Sequence, residues 1–125
     1  MLCSIHADFR PQWRQAYLPR QFRSDQHLRG IIEQVVASPF HVIGGELWAE
    51  TRGSPTTAFA RQVAMYLAHV ACGLTLTEVG HLFARDRTTV AHACSRVEDR
   101  REEPPFDRAL ELLEGVVRLS MPRAI

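Results

Sequence analysis

From Asp25 onward, apolar residues return every three or four positions along most of the chain, the spacing of helices that bury one side. Leu28, Ile31, Ile32, Val35 and Val36 predict a first helix from Asp25 through Ala37, ending before Pro39 because proline disfavours a helical residue in front of it. The next stretch, Phe40 to Trp48, is apolar but broken by Gly44 and Gly45, and it leaves room for a short helix at Glu46 to Ala49. Thr51 to Thr57 (TRGSPTT) reads as a loop from its Gly, Ser and Pro content.

A long helix is then expected to about Cys72, burying Val63, Leu67 and Val70 with Ala64 and Met65 beside them, and Gly73 stops it. Thr75 and Glu78 have capping-box spacing, in which the hydroxyl caps the third amide and the carboxylate reaches back to the cap amide. The short helix they start carries Leu76, Val79, Leu82 and Phe83 and ends near Ala84, before the next cap at Asp86. Arg87 to about Arg101 forms a further helix, closed off by Pro104 and Pro105, and Asp107 to Leu119 forms a last one with Leu110, Leu113, Val116 and Val117 on its apolar side. No segment alternates as a strand does, so the expected fold is all-α, with about five to six helices in one domain over residues 25–120.

Composition adds limits rather than a function. At 125 residues, 46% hydrophobic and 23% charged, the chain has the balance of one ordinary globular domain. Its formal charge is only +1, so any case for a polyanionic partner rests on where the charges sit. Residues 52–101 hold seven arginines against four acids, and residues 1–24 hold four arginines against Asp8. All fifteen basic residues are arginine, whose planar fork matches phosphates and guanine edges.

The first 24 residues interleave Phe9, Trp13, Tyr17 and Phe22 with Arg10, Arg14, Arg20 and Arg23, and Pro11 and Pro19 interrupt the helical spacing of the aromatics. This segment is read as an arm that docks its aromatics on the domain, with contact to DNA as the alternative. Residues 121–125 are read as a flexible tail.

Cys3, Cys72 and Cys94 lack paired spacing, and no apolar run reaches the length of a signal or membrane segment, which places the chain in a reducing cytoplasm, at the nucleoid if it binds DNA. A metal site or enzymatic centre would have to use His69, Cys72, His81, His92 and Cys94, but only His69 and Cys72 are spaced to share a helix face and no second pair stands at ligand spacing, so neither a metal, a cofactor nor an enzymatic centre is expected.

Three consecutive helices, with a tight turn at Ala84 and Arg85 between the second and third, have the shape of a helix-turn-helix. With Val90 set at zero on a helical wheel, Cys94, Val97 and Ala93 fall within roughly 60° of it, and Thr88, His92, Ser95 and Asp99 lie between roughly 140° and 200°. The outer face is therefore small, polar and basic. Arg87 suits a guanine edge, Thr88 and Thr89 offer a methyl and a hydroxyl, and His92 and Arg96 reach bases or phosphates further along. The same residues also allow a plainer reading, in which Asp86 is a helix cap and Arg96 to Arg101 a solvated face balanced by Glu98 and Asp99.

The run ARQVAMYLAHVACGLTLTEVGHLFARDRTTVAHACSRVEDRREE, Ala60 to Glu103, resembles the C-terminal DNA-binding domain of the bacterial replication initiator DnaA, and the similarity extends over roughly residues 25–120. The resemblance implies an all-helical domain that binds short DnaA-box sites in double-stranded DNA, with a recognition helix in the major groove and a basic loop in the minor groove. It implies base-reading roles for Asp86, Thr88 and Thr89, an apolar groove contact for Ala93, DNA contacts for Arg61 and Gln62, and a minor-groove position for Arg52. With Arg85, Arg87, His92 and Arg96 these complete the candidate interface.

Three features depart from the family pattern. Arg87 stands where the initiators usually have histidine, the Ala84–Arg85 turn is one residue shorter than the family's glycine-rich version, and the loop Trp48 to Phe59 carries one arginine and Glu50 in place of a basic cluster. No GxxxxGK[ST] loop occurs and 125 residues leave no room for an ATPase domain, so nucleotide binding is not expected. The expected role is regulation of replication or transcription, with a replication or regulatory protein as a possible partner. The competing reading is a protein-interaction module that kept the fold and lost strong DNA binding.

Overall fold

The computed structural model describes residues 25–121, which form six helices and no strand. The arm at residues 1–24 and the end of the tail at residues 122–125 lie outside the described residues.

Helix α1 (Asp25–Phe40) buries Leu28, Ile31, Ile32, Val35 and Val36, as the apolar spacing predicts. It runs past the expected end because Pro39 sits in its last turn, where a missing N–H removes a single helical bond. His41, at φ 55, then turns the chain, and the Val42 amide donates to the Ala37 carbonyl at 2.9 Å. Helix α2 (Gly44–Leu47) is one turn, placed two residues earlier than expected.

Helix α3 (Pro55–Val70) takes in part of the expected loop. Ser54 caps it by accepting from the Thr57 amide at 3.1 Å, and Pro55 occupies the first turn, where the amide it lacks would have no helical partner. Gly73 ends the segment at φ 76, while the Cys72 and Leu74 amides donate back to Leu67 and Ala68.

Helices α4 (Leu76–Phe83) and α5 (Arg87–Arg100) follow at the expected places. Helix α6 (Pro104–Ser120) begins earlier than expected, because Pro104 and Pro105 are accommodated in its first turn instead of lying before it.

Helix α3 is the axis of the domain, in contact with each of the other five helices. Ala60, Ala64 and Ala68 are completely buried on it, and residues this small let neighbouring helices approach closely. Around it the core collects Leu28, Ile32, Leu47, Leu67, Leu76, Phe83 and Leu110. Met121, read as the start of a tail, is buried in this core as well.

One polar cluster closes the far end of α5. Arg101 donates to Asp107, to the buried Glu114 at 2.6 Å and to the Tyr66 hydroxyl at 3.0 Å, tying the α5 C-terminus to α6 and α3. Arg101 therefore does not belong to the solvated face that Arg96 to Arg101 allowed. Burial pushes the Tyr66 phenol up to about 12, against the opposing effect of its bond from Arg101. Nearby, Phe59 meets Phe40 and Phe106 at centroid separations of 5.8 and 5.7 Å, and the Arg100 guanidinium lies 4.9 Å from the Phe59 ring.

Candidate nucleic-acid interface

The turn between α4 and α5 is built from local signals and one close approach. Thr75 and Glu78 form the full capping box, with bonds of 3.1 and 2.8 Å, which fixes where α4 begins. At its other end Ala84 takes the left-handed conformation, φ 55 and ψ 46, normally left to glycine. The Arg85 amide donates back to the Gly80 carbonyl at 2.9 Å. This folds the turn so tightly onto α4 that a Cβ at Gly80 would lie 2.6 Å from the Arg85 carbonyl oxygen.

Asp86 then caps α5 through a 3.0 Å bond from the Thr89 amide to its carboxylate. Hydrogen bonding to Thr89 holds the Asp86 carboxyl below the ordinary aspartate range. On α5, Val90, Ala93, Cys94 and Val97 are buried against the domain. Arg87, Thr88, Thr89, His92, Arg96 and Asp99 are exposed, Arg87 at the start of the helix and the others away from the buried face, and Ser95 is half-buried.

The loop between α2 and α3 is held against this unit by its own backbone. Arg61 is 5% exposed, and its guanidinium donates to the carbonyls of Leu47, Glu46 and Arg52 at 2.9, 2.7 and 3.1 Å. Burial and then the like charge of Arg85 lower its pKa. Arg85 in turn donates to Phe83 at 2.9 Å within the turn and to Ala49 at 2.8 Å in the loop. Trp48 completes the attachment: its ring lies 4.5 Å from that of Phe83, the Arg29 guanidinium covers it at 4.4 Å, and its indole N–H donates to Glu33 at 2.6 Å.

The family described as the bacterial DnaA protein helix-turn-helix matches residues 30–97, more than half of the chain. The chain belongs to the bacterial DnaA helix-turn-helix family. It is similar to the chromosomal replication initiator protein DnaA of Symbiobacterium thermophilum, at 33% identity over 118 residues, covering 93% of this chain and 25% of that protein. The initiator protein DnaA of Lachnoclostridium phytofermentans is 35% identical over 85 residues, covering 66% of this chain and 18% of its own length. A crystal structure of a DNA replication initiation factor superposes with a TM-score of 0.68 at 31% identity, covering 78% of this chain and 30% of the other. The chain thus spans a quarter or less of the length of these two DnaA relatives.

Membership in the DnaA helix-turn-helix family supports DNA binding and gives the geometry a frame. Of the residues expected to face DNA, Asp86, Arg87, Thr88, Thr89, His92 and Arg96 share one surface, and Arg52 is exposed in the adjoining loop. Gln62 and Arg85 are half-buried. Arg61 and Ala93 do not reach that surface: Arg61 is turned inward onto carbonyls of α2 and the loop after it, and Ala93, at 3% exposure, packs in the core.

Three residues that matter to the interface were not singled out from the sequence. Gly80 admits the turn, Trp48 anchors the loop, and Arg29 covers Trp48. A glycine inside a short capped helix is a signal that was available for Gly80, since it weakens the helix unless something packs there. Nothing local marks the other two.

Among the described residues, no group of three or more His, Cys, Asp or Glu is placed to hold a metal ion, and no helix is long and apolar enough to cross a membrane. His69 instead bonds the Leu74 carbonyl through Nδ1 at 2.7 Å in the interior.

Proposed function

We propose that this chain binds double-stranded DNA sequence-specifically, with α5 in the major groove, at sites resembling DnaA boxes, and that it regulates replication or transcription through them. The observation that carries this reading is the outer face of α5. Thr88, Thr89, His92 and Arg96 form a small, polar and basic surface whose reverse side is wholly committed to the core. A helix of this kind approaches base edges closely and stays rigid while doing so.

Arg87 presents its fork at the helix start, where a guanine edge is the matching partner. Thr88 and Thr89 supply methyl and hydroxyl groups to bases, and His92 and Arg96 serve bases or phosphates further along. Asp86 does double duty, capping α5 while standing at its base-reading end. Arg52 extends from the loop toward the minor groove. Arg61 acts as a positioning residue that shapes this loop, since each of its three guanidinium nitrogens already donates to a carbonyl. Gln62 and Arg85 stand at the margin of the contact. Such a role places the protein in the cytoplasm at the nucleoid.

Selection from a random duplex library at one stated salt concentration tests the reading. Recovery of a DnaA-box-like consensus is the expected result, with Arg87→Ala and Thr88→Ala relaxing one or two positions of it. A library that returns unenriched, or variants that return the same consensus as the parent, would overturn it.

A further inference from the structure

The last helix carries more apolar surface than the core uses. Leu110 and Val117 are buried and Leu113 is partly so, but Leu112, Val116 and Leu119 are 72%, 48% and 86% exposed. Val116, expected on the buried side, therefore lies outside it. On a helical wheel with Leu112 at zero, Ala109, Val116 and Leu119 fall within roughly 60° of it, whereas Leu110, Glu114 and Val117 lie between roughly 140° and 200°. Helix α6 thus has one face turned into the domain and an apolar one opposite. Along the outer face, Pro105, Ala109, Leu112, Val116 and Leu119 are all exposed and follow one another at spacings of four, three, four and three. That is the spacing of a coiled-coil seam, whose period of about 3.5 residues matches a second helix laid alongside.

We infer that this seam pairs with the same seam of a second copy of the chain, antiparallel and about a twofold axis level with Glu114. Charge selects this occupant and this direction. Glu111 and Arg118 lie on one edge of the seam, roughly 100° and 120° from Leu112. An antiparallel twofold sets that edge of one copy against the same edge of the other, with each Glu111 about 1.5 Å along the axis from the other copy's Arg118. In this register Leu112 faces Val116 and Ala109 faces Leu119 across the seam. Arg118 stands 4.0 Å from Glu114 of its own helix, so in the pair it lies between two carboxylates. The opposite edge, Leu113 and Ser120, is uncharged, and a parallel pair would set the charged edge against it. Gly115, beside the axis, presents no side chain to hold the second helix away.

Size sets the strength of the pairing. The five seam residues offer on the order of 400 Å² per copy, about half of the roughly 800 Å² that each partner contributes to a stable complex, so free chains pair only at high concentration. Two copies held on one duplex meet at an effective concentration in the millimolar range, where so small a seam suffices. This consequence rests on the DNA-binding reading above. The seam and the DNA-reading face belong to separate helices, α6 and α5, each docked on α3. A twofold pair requires its two DNA sites to be related by the same twofold, so the favoured target is an inverted repeat rather than a direct one.

Two measurements on the full chain separate the pairing from the DNA reading. In the free chain, sedimentation equilibrium should give a mass of 14.2 kDa at micromolar concentration that rises toward twice that value in the millimolar range. Leu112→Gln/Leu119→Gln should hold the mass at 14.2 kDa without altering the far-UV circular dichroism, and Glu111→Arg should weaken the association severalfold. Methyl NMR on a mixture of labelled and unlabelled chains should show Leu112 of one copy against Val116 of the other. A mass that never rises, an association that the glutamine variant retains, or contacts between the two copies of Leu112 in place of those to Val116 would each overturn the assignment. On DNA, a duplex with two selected sites in inverted orientation should be bound cooperatively and a direct repeat should not, and the glutamine variant should lose the cooperativity while keeping its single-site affinity. Equal cooperativity on both duplexes would overturn the twofold pairing, whereas failure of the parent chain to bind a single site would refute the DNA reading and leave the association of free chains standing.

Discussion

Replacing Gly80 with alanine sets a methyl group against the backbone of the helix-turn-helix turn. The new Cβ would meet the Arg85 carbonyl oxygen at 2.6 Å, whereas a carbon and a carbonyl oxygen settle at about 3.3 Å or more. The turn must therefore yield by about 0.7 Å, and what has to move is backbone already bonded to Gly80 by the 2.9 Å Arg85 amide contact. Overpacking of this sort costs about 1–3 kcal/mol, and weakening the Arg85 bond adds up to about 1 kcal/mol. Alanine returns about 1 kcal/mol as the better helix former, leaving a net loss of up to about 3 kcal/mol.

For a domain of this size each kcal/mol lowers Tm by about 4–8 °C. Thermal and urea unfolding followed by circular dichroism measure the loss, with Gly30→Ala as the paired control. A Cβ at Gly30 meets nothing within 4 Å, so that variant should gain up to about 1 kcal/mol from helix propensity alone. If Gly80→Ala is as stable as the parent, the turn relaxes freely and the argument from close approach fails.

Ala84→Gly removes a left-handed non-glycine residue and should raise stability by up to about 1 kcal/mol in the same unfolding assay, the relief of backbone strain exceeding the extra freedom of the unfolded chain. Arg61→Ala strips the donor from three carbonyls and should cost about 2–4 kcal/mol, while Arg87→Ala, exposed on α5, should leave Tm within about 4 °C and change only DNA preference; equal Tm values for the two variants would refute the positioning role of Arg61. Tyr66, raised to about 12 from the ordinary phenol value, stabilises the fold fully below pH 10 and ceases to do so as pH climbs toward 12. The stability difference between the parent and Tyr66→Phe should therefore shrink by up to about 2 kcal/mol across that window, as read by urea midpoints. Asp86, held low by the Thr89 amide, caps α5 at neutral pH and loses that contribution as acid protonates it, so a stability gap between parent and Asp86→Ala should close toward low pH.

How far the sequence carried depended on whether a feature is local. Helix identities were legible because spacing, caps and stop residues lie within a few positions of one another, as at Thr75, Glu78, Gly73 and Asp86. The prolines at 55, 104 and 105 misled at boundaries, since each stands in a first turn that has little use for its missing amide, and Pro39 misled because losing one bond in the last turn does not end a helix. The outer face of α5 followed from the wheel for the same local reason. Arg61 did not follow: its direction is set by carbonyls nine to fifteen residues earlier, at the end of α2 and in the loop after it, which no local pattern in the sequence brings beside it. Val116 and Leu113 are equally apolar in sequence, and only the angle at which α6 lies on the domain decides which of them is covered.

The inward-facing carbonyls of the loop before α3 have a consequence for how this protein can diversify. Because Arg61 and Arg85 grip main chain, the path of the loop does not depend on which side chains Glu50, Thr51 and Arg52 happen to be. Those positions can accept charge changes in either direction without a penalty in folding.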